Sequence, residues 1–554
     1  LGAVVTGRLG TLMLAIFLPL IARTVSRAVR GPKGTGSWRA TWSAALLLSV
    51  VAAFVPGLLV AAPALALAVG AAIARTRLTW SRLLALSLMP ILLLLPWSAW
   101  VLTHPANLAF EAGLRSGPGM SDPRLQGFHV LLVHPGGAGM TPSWTVLGLL
   151  AAALLAGFRR DTRAVVLGCW VVIAVSLTLA LVQSRLRVVP FSAQSVVVAW
   201  PGPATLVIGA ALILAAVVVV QGLRTRMNRA SFGLSQPATV VVLAMCLAAP
   251  VSAATWWGVN APVVMVSGAH DPVPAFVSVQ SGPPDRPRSL VLGRVLGGRI
   301  GYALVAGSGP TIGAGELLPA ASTTTALDDA VSGIVSGRSG SDAATLISYG
   351  IRYVMISDPS DTLLVGELDS APGMRRIAAN DGSAIWVLNP SPSRFYIQNP
   401  DGSRVSIASS QTGSSATIPA ATPTPSGSTT STGTRLLVLS SPLDAAWWAS
   451  VNSLPLTPTV VAGWGQAFVL PATGGELAVG YNDDARRGTL LLQAFLLLVV
   501  VVLALPGRRK ESVDPDTDVL GGEEPRHLLA AARHHHSGSP ADDDSALRDP
   551  EAMA

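Results

Sequence analysis

Charge is scarce in this chain. Only 12% of the 554 residues are charged, against about 25% in an ordinary soluble protein. Half the residues are apolar and the mean hydropathy is +0.53, which excludes a simple soluble domain and leaves a membrane protein. Lysine is nearly missing: of 38 basic residues only Lys33 and Lys510 are lysine. Cysteine is limited to Cys169 and Cys246, both inside apolar runs. The long segment between residues 258 and 487 therefore has no disulfide and must fold on packing alone. The sequence has no phosphate-cradling glycine loop between a strand and a helix, no nucleophile elbow and no zinc-type ligand spacing. No ionisable residue sits clearly in the middle of an apolar run, which argues against a proton-coupled transporter. The chain starts at Leu1, with no Met and no signal-peptide n-region, as expected of a segment that begins inside a longer protein.

What is present is an alternation. Apolar runs of about 15–20 residues, long enough to cross a bilayer as helices, are separated by short loops, and every second loop carries arginines. We place nine spans, at 10–22, 41–56, 58–74, 83–101, 143–158, 164–182, 204–221, 238–257 and 489–506. The second and third could be one long segment kinked at Pro56, but a tight hairpin there is preferred, because it keeps all later arginine loops on one side. One set of loops holds Arg23, Arg27, Arg30, Lys33 and Arg39, then Arg75, Arg77 and Arg82, then Arg159, Arg160 and Arg163, then Arg224, Arg226 and Arg229, and finally Arg508, Arg509 and Lys510. The other set holds Arg8, Arg115, Arg124, Arg185 and Arg187. This bias assigns the arginine-rich set to the cytoplasm, so the high pI reports orientation and not nucleic-acid binding. Trp97, Trp100, Trp144, Trp200, Trp256 and Trp257 fall at expected outer ends, and Trp38, Trp42 and Trp80 at inner ones, as headgroup-level indoles should.

The expected architecture is thus a polytopic α-helical membrane protein with an extracytoplasmic α/β plus all-β domain. Residues 1–257 form a bundle of about eight spans, 258–390 an α/β region and 391–487 a β-sandwich-like region. The final span is 488–507. An acidic cytoplasmic tail, 508–554, is expected to be disordered. In the α/β region, Ser289–Gly293, Tyr302–Ala306 and Ile351–Ile356 read as strands and Thr325–Ser336 as a helix. Ser341 can cap a second helix that stops at Gly350, and Asp381-Gly382 reads as a hairpin turn. Further strands are expected at Arg435–Leu439, Gln466–Leu470 and Glu476–Tyr481. Ser409–Gly433, rich in Ser, Thr and Pro, has few apolar residues and is expected to be a mobile loop.

Some residues are specific enough to suggest kinship. Ser348-Tyr-Gly-Ile-Arg-Tyr-Val-Met-Ile356 resembles a strand of the YfhO-like bacterial membrane proteins. So does the ending Ala446-Trp-Trp-Ala-Ser-Val, Gly463-Trp-Gly-Gln-Ala-Phe-Val-Leu-Pro-Ala472 and Gly475-Glu-Leu-Ala-Val-Gly-Tyr481, which leads into the last span. Asn452-Ser453 departs from the Asp-Gly that this group often has there. Those proteins are similar to the GT-C class of lipid-sugar-dependent glycosyltransferases. The span order, Pro284-Asp-Arg-Pro-Arg-Ser-Leu-Val-Leu292 and Gly463-Trp-Gly-Gln-Ala-Phe resemble the membrane half of large actinobacterial cell-envelope proteins. In those, a cytoplasmic family-2 glycosyltransferase domain precedes the spans; no such domain is in this sequence.

The resemblance implies an outer-loop carboxylate acting on a polyprenyl-phosphate sugar, either as a base or as a ligand of a divalent metal. In Leu102–Ser143 the carboxylates are Glu111 and Asp122, beside His104, His129 and His134. Arg115 and Arg124 in that loop, and Arg185 and Arg187 after the sixth span, could hold a lipid phosphate. A self-solvating polar loop, and arginines reaching to headgroups, are the simpler accounts. Trp447, Trp448, Trp464 and Tyr481 could stack on a sugar, although core packing explains them equally well. His270-Asp271 reads as a turn. Asp514-Pro-Asp516, His534–His536 and Asp542–Asp544 fall in the biased tail and are discounted, so no metal site is assigned.

Two functions follow as expectations. The first is the membrane part of a glycosyltransferase that assembles cell-envelope glycan. The second is a non-catalytic scaffold or glycan-binding and translocating partner. The expected partners are membrane lipids, a polyprenyl-phosphate-linked sugar and envelope polysaccharide, with no nucleic acid.

Overall fold

The computed structural model describes residues 2–5, 7–29, 37–73, 77–112, 127–136, 141–157, 162–188, 197–227, 235–264, 273–294, 300–307, 321–337, 342–356, 360–378, 384–410, 412–420 and 434–505. The first half is helical. It comprises α1 (Gly2–Val5), α2 (Leu9–Val29), α3 (Trp38–Phe54), α4 (Leu58–Ile73), α5 (Arg77–Leu93), α6 (Trp97–Thr103), α7 (Gly127–Leu131), α8 (Leu147–Ala156), α9 (Arg163–Gln183), α10 (Gly202–Met227) and α11 (Ser235–Val264). Two short strands, β1 (Arg187–Val188) and β2 (Val197–Val198), pair between α9 and α10.

A helix occupies each of the nine apolar runs. Among the described residues, four segments are long and apolar enough to cross a membrane: Leu9–Val29, Val165–Gln183, Val240–Asn260 and Asp484–Ala504. The run at 83–101 is not one straight span, because α5 and α6 meet at 101°. Pro90 lies inside α5, and Pro96 lies in the break, where it supplies no amide hydrogen and turns Leu95 away from helical geometry. Pro56-Gly57 does form the expected tight turn between α3 and α4.

Small residues let the helices approach. Ala44, Ala45 and Ala52 of α3, Ala152, Ala153 and Ala156 of α8, and Ala215 and Ala216 of α10 are all buried. Such residues bring backbones together where lipid offers no hydrophobic drive for helices to pair. Gly148 illustrates the tolerance, since a Cβ there would lie 2.5 Å from the Met245 carbonyl oxygen of α11.

The helix ends that the arginine pattern puts on one side gather at one end of the bundle. The Gly10 amide donates to Ala112 O (2.9 Å) and the Ala112 amide to Phe54 O (2.7 Å). A Cβ on Gly57 would lie 2.9 Å from Leu108 O and 3.9 Å from Gln183 Nε2. At the other end, Arg82 donates to Ala28 O (3.4 Å) and lies over Trp38, while the Ser37 amide donates to Arg27 O.

After α11 the chain forms β-sheet domains. The α/β part contains α12 (Ala275–Gln280), β3 (Arg288–Arg294), β4 (Ile300–Ala306), α13 (Ala321–Val335), α14 (Asp342–Ser348), β5 (Ile351–Ile356), α15 (Thr362–Ser370), β6 (Met374–Ala378) and β7 (Ala384–Leu388). Its sheet order is β4-β3-β5-β7-β6, with β3 and β5 parallel and the other pairs antiparallel. One face packs on α13, α14 and α15 through Leu327, Leu346, Leu364 and Trp386. The other packs on α12 through Val277, Tyr353 and Met355. Both faces are covered, so Ile351–Ile356 is a nearly continuous apolar run. Gly350 ends the turn after α14 at φ +73°, a conformation that glycine adopts without a Cβ penalty.

The all-β part contains β8 (Phe395–Gln398), β9 (Arg404–Ile407), β10 (Gly413–Ile418), β11 (Leu436–Pro442), β12 (Trp447–Val451), β13 (Leu454–Pro455), β14 (Pro458–Val461), β15 (Gly465–Val469) and β16 (Gly475–Tyr481). Two sheets, β14-β15-β11-β8-β9 and β10-β16-β12-β13, enclose Phe395, Leu437, Phe468 and Leu477. Part of the expected loop at 409–433 is therefore ordered. Gly413–Ile418 pairs with Gly475–Gly480 of β16, because an edge strand needs few apolar side chains when its backbone is paired on one side and Ile418 fills the core. The final helix, α16 (Asp484–Ala504), packs against α3 and α5. Gln493 donates to Leu93 O (2.7 Å) at the break between α5 and α6, satisfying a carbonyl that the interrupted helix leaves open. Ser341, His270, Asp271, Asp381, Gly382 and the tail residues noted above lie outside the described residues.

Candidate functional site

The sheet-forming motifs meet first. The Tyr349 ring stacks on Trp464 at 3.9 Å between centroids and 3° between planes. Trp464 is only 6% exposed and belongs to the α/β core, so it offers no open ring to a sugar. Trp447 is half-buried, edge-on to Phe395 (5.8 Å) and Tyr481 (5.1 Å). Core packing thus accounts for both tryptophans. Trp448, the next residue on the alternating strand, is exposed.

The bundle end where α2, α3, α9 and α10 meet is the chemically richer place. Phe110 and Glu111 follow a short 3₁₀ turn, Pro105–Ala109, that folds the chain back onto the helix ends. Glu111 is buried, at 5% exposure. Its Oε2 accepts a hydrogen bond from Thr11 Oγ1 at 2.7 Å, and Thr11 Oγ1 accepts one from Trp200 Nε1 at 3.3 Å. Arg8 Nε lies 3.9 Å from Glu111 Oε1, and its guanidinium lies 4.7 Å over the Trp200 ring. A buried carboxylate is costly without hydrogen bonds and a counter-charge, and these side chains supply both.

Glycine makes the convergence possible. A Cβ on Gly10 would lie 2.6 Å from Phe54 O and 2.8 Å from Glu111 Oε2. A Cβ on Gly202 would lie 1.9 Å from Trp200 Nε1. Asn107 is also buried, and among the described residues neither its amide oxygen nor its nitrogen has a hydrogen-bond partner. Gln183 Oε1 is likewise without one. Such buried amide atoms are groups that a bound molecule or a water would complete.

Of the residues expected at a site, Glu111 is brought together with Arg8. Arg115, Asp122 and Arg124 lie outside the described residues. Arg185 is exposed after α9, and Arg187 begins β1. His129 and His134 pair at 5.7 Å between ring centroids, and burial together with His129 lowers the pKa of His134. Arg8, Thr11 and Trp200 were missed as partners of Glu111. Trp200 is buried at that bundle end. The one sequence signal was Gly10 at the head of an apolar run. Among the described residues no group of three or more His, Cys, Asp or Glu side chains could hold a metal, and a guanidinium 3.9 Å from the carboxylate does not suit a divalent cation.

Comparison with protein-family models, with curated proteins and with solved structures finds no match to this chain.

Proposed function

We propose that this chain is the membrane part of a glycosyltransferase that assembles cell-envelope glycan, with its reaction centre at Glu111. In this reading the chain crosses the membrane nine times, α5 and α6 counting as one bent span. The sheet domains and the Glu111 end lie outside the cytoplasm. The observation that carries the reading is a buried carboxylate held by Thr11 and Arg8 at the bundle end assigned to the outer surface.

Glu111 takes the proton of an acceptor hydroxyl while that oxygen attacks the anomeric carbon of a lipid-linked sugar. The bond to the lipid phosphate breaks, and the phosphate leaves with the electron pair. Arg8 meets the charge that develops there. Thr11 and Trp200 hold the carboxylate in one orientation.

The resemblance of Ser348–Ile356 and Gly463–Ala472 to YfhO-like bacterial membrane proteins, themselves similar to GT-C glycosyltransferases, supports the same reading. The alternative, a non-catalytic scaffold, is favoured by the degree to which Thr11 and Arg8 already satisfy Glu111. Sugar transfer by the full-length protein in membranes separates the two. Glu111→Gln, which keeps size and hydrogen bonding but cannot accept a proton, should lower transfer at least 100-fold with the protein still folded. Unchanged transfer would remove Glu111 from the chemistry.

A further inference from the structure

A second cluster lies far along the chain, at the seam between the α/β and all-β parts. The seam is tied by backbone bonds: the Arg394 amide to Asp285 O (2.8 Å), the Ser409 amide to Pro284 O (2.9 Å) and the Ser440 amide to Arg394 O (2.9 Å). Three arginines line it. Arg286 Nε donates to Ser409 O (3.1 Å), Arg288 Nη1 to Tyr349 O (3.2 Å) and Arg394 Nη1 to Ser410 O (3.2 Å). All three are half-buried. Arg286 also holds φ +46°, left-handed backbone that costs a non-glycine residue energy and recurs at binding sites.

From these contacts we propose that Arg286, Arg288 and Arg394 form a binding site for a phosphoryl group, recognised through their guanidinium forks.

The electrostatics support it. Burial and the neighbouring Arg394 push Arg288 down to about 10, and burial and Arg286 lower Arg394. The three cations therefore act on one another in a row. Among the described residues, neither Arg286 nor Arg288 makes an ion pair. Each uses one of its five N–H donors on a protein carbonyl. A dianionic group suits such an array, because bidentate arginine contacts match its oxygens and its charge relieves the repulsion. Seams between domains are also where ligand sites commonly form. The inference does not depend on Glu111 being catalytic.

The test uses the full chain in nanodiscs of neutral lipid, with inorganic pyrophosphate as the soluble probe and discs containing phosphatidylglycerol as the lipid probe. Binding is read by titration calorimetry and by the unfolding midpoint of the sheet domains. We expect pyrophosphate to bind the wild type. The affinity should fall at least tenfold in Arg286→Gln and in Arg394→Gln, fall with added salt, and be restored only in part in Arg286→Lys, which keeps the charge and loses the fork. Stabilisation by phosphatidylglycerol alone, lost in Arg286→Gln, would support the same site with a lipid as the source. Equal binding by wild type and both glutamine variants, or no effect of either probe on the wild type, would overturn it. Unfolding midpoints without ligand separate loss of binding from loss of fold, and Glu111→Gln should bind pyrophosphate as the wild type does.

Discussion

The phenol of Tyr349 lies flat on the indole of Trp464, with ring centroids 3.9 Å apart. The contact joins the turn after α14 to the loop before β15, and so locks the α/β part onto the all-β part. Arg288 reinforces it by donating to the carbonyl of Tyr349.

Trp464→Ala should therefore destabilise the sheet domains by about 3–5 kcal/mol, the usual cost of emptying a buried aromatic site. Trp464→Phe should cost less, because it keeps a stacked ring. Chemical unfolding followed by fluorescence or circular dichroism measures both. A change below about 0.5 kcal/mol for the alanine variant would show that the stack contributes nothing beyond surface noise.

Gly10→Ala should loosen the bundle by about 1–3 kcal/mol, because its methyl group would overlap Phe54 O and Glu111. Gly168→Ala is the control: nothing lies within 4 Å of its Cβ position, so it should be neutral or slightly stabilising in a helix. Thermal unfolding in the same detergent compares the two.

Asp361 caps α15 by accepting from Leu364 N (3.2 Å) and pairs with Arg294. That pairing holds its carboxyl below the usual carboxylate range. A depressed folded-state pKa stabilises above the unfolded value, about 3.9, and the benefit is lost as pH falls through the folded value. The unfolding midpoint of wild type should thus exceed that of Asp361→Asn at pH 6, and the gap should close as pH drops below about 4. A gap that stays constant down to pH 2.5 would contradict the pairing.

Gln493→Ala should detach α16 from the break after α5, costing about 0.5–1.5 kcal/mol for the lost hydrogen bond to Leu93 O. Proteolysis near residue 484 in detergent should quicken accordingly.

Much of the fold could be read from the chain. Ile351–Ile356 is a continuous apolar run bounded by Gly350, and it is a strand over those same residues. The longer helices of the first half could be read because each falls on an apolar run. Two features escaped for physical reasons. Gly413–Ile418 is held by backbone pairing to β16, which leaves little trace in side-chain chemistry. The partners of Glu111 come from the start of α2 and the segment before α10, so no local spacing links Arg8, Thr11 and Trp200. For Trp464 the sequence left core packing and sugar stacking both open, because it cannot show that Tyr349 covers the ring.

The whole account turns on which side of the membrane the sheet domains occupy. With Cys169 and Cys246 replaced by alanine, a single cysteine is placed at exposed Ser403 in the sheet region, and another at exposed Ser81 near the opposite bundle end. The account predicts that a membrane-impermeant maleimide labels Ser403→Cys in intact cells and Ser81→Cys only after lysis. Labelling in the reverse order would contradict it.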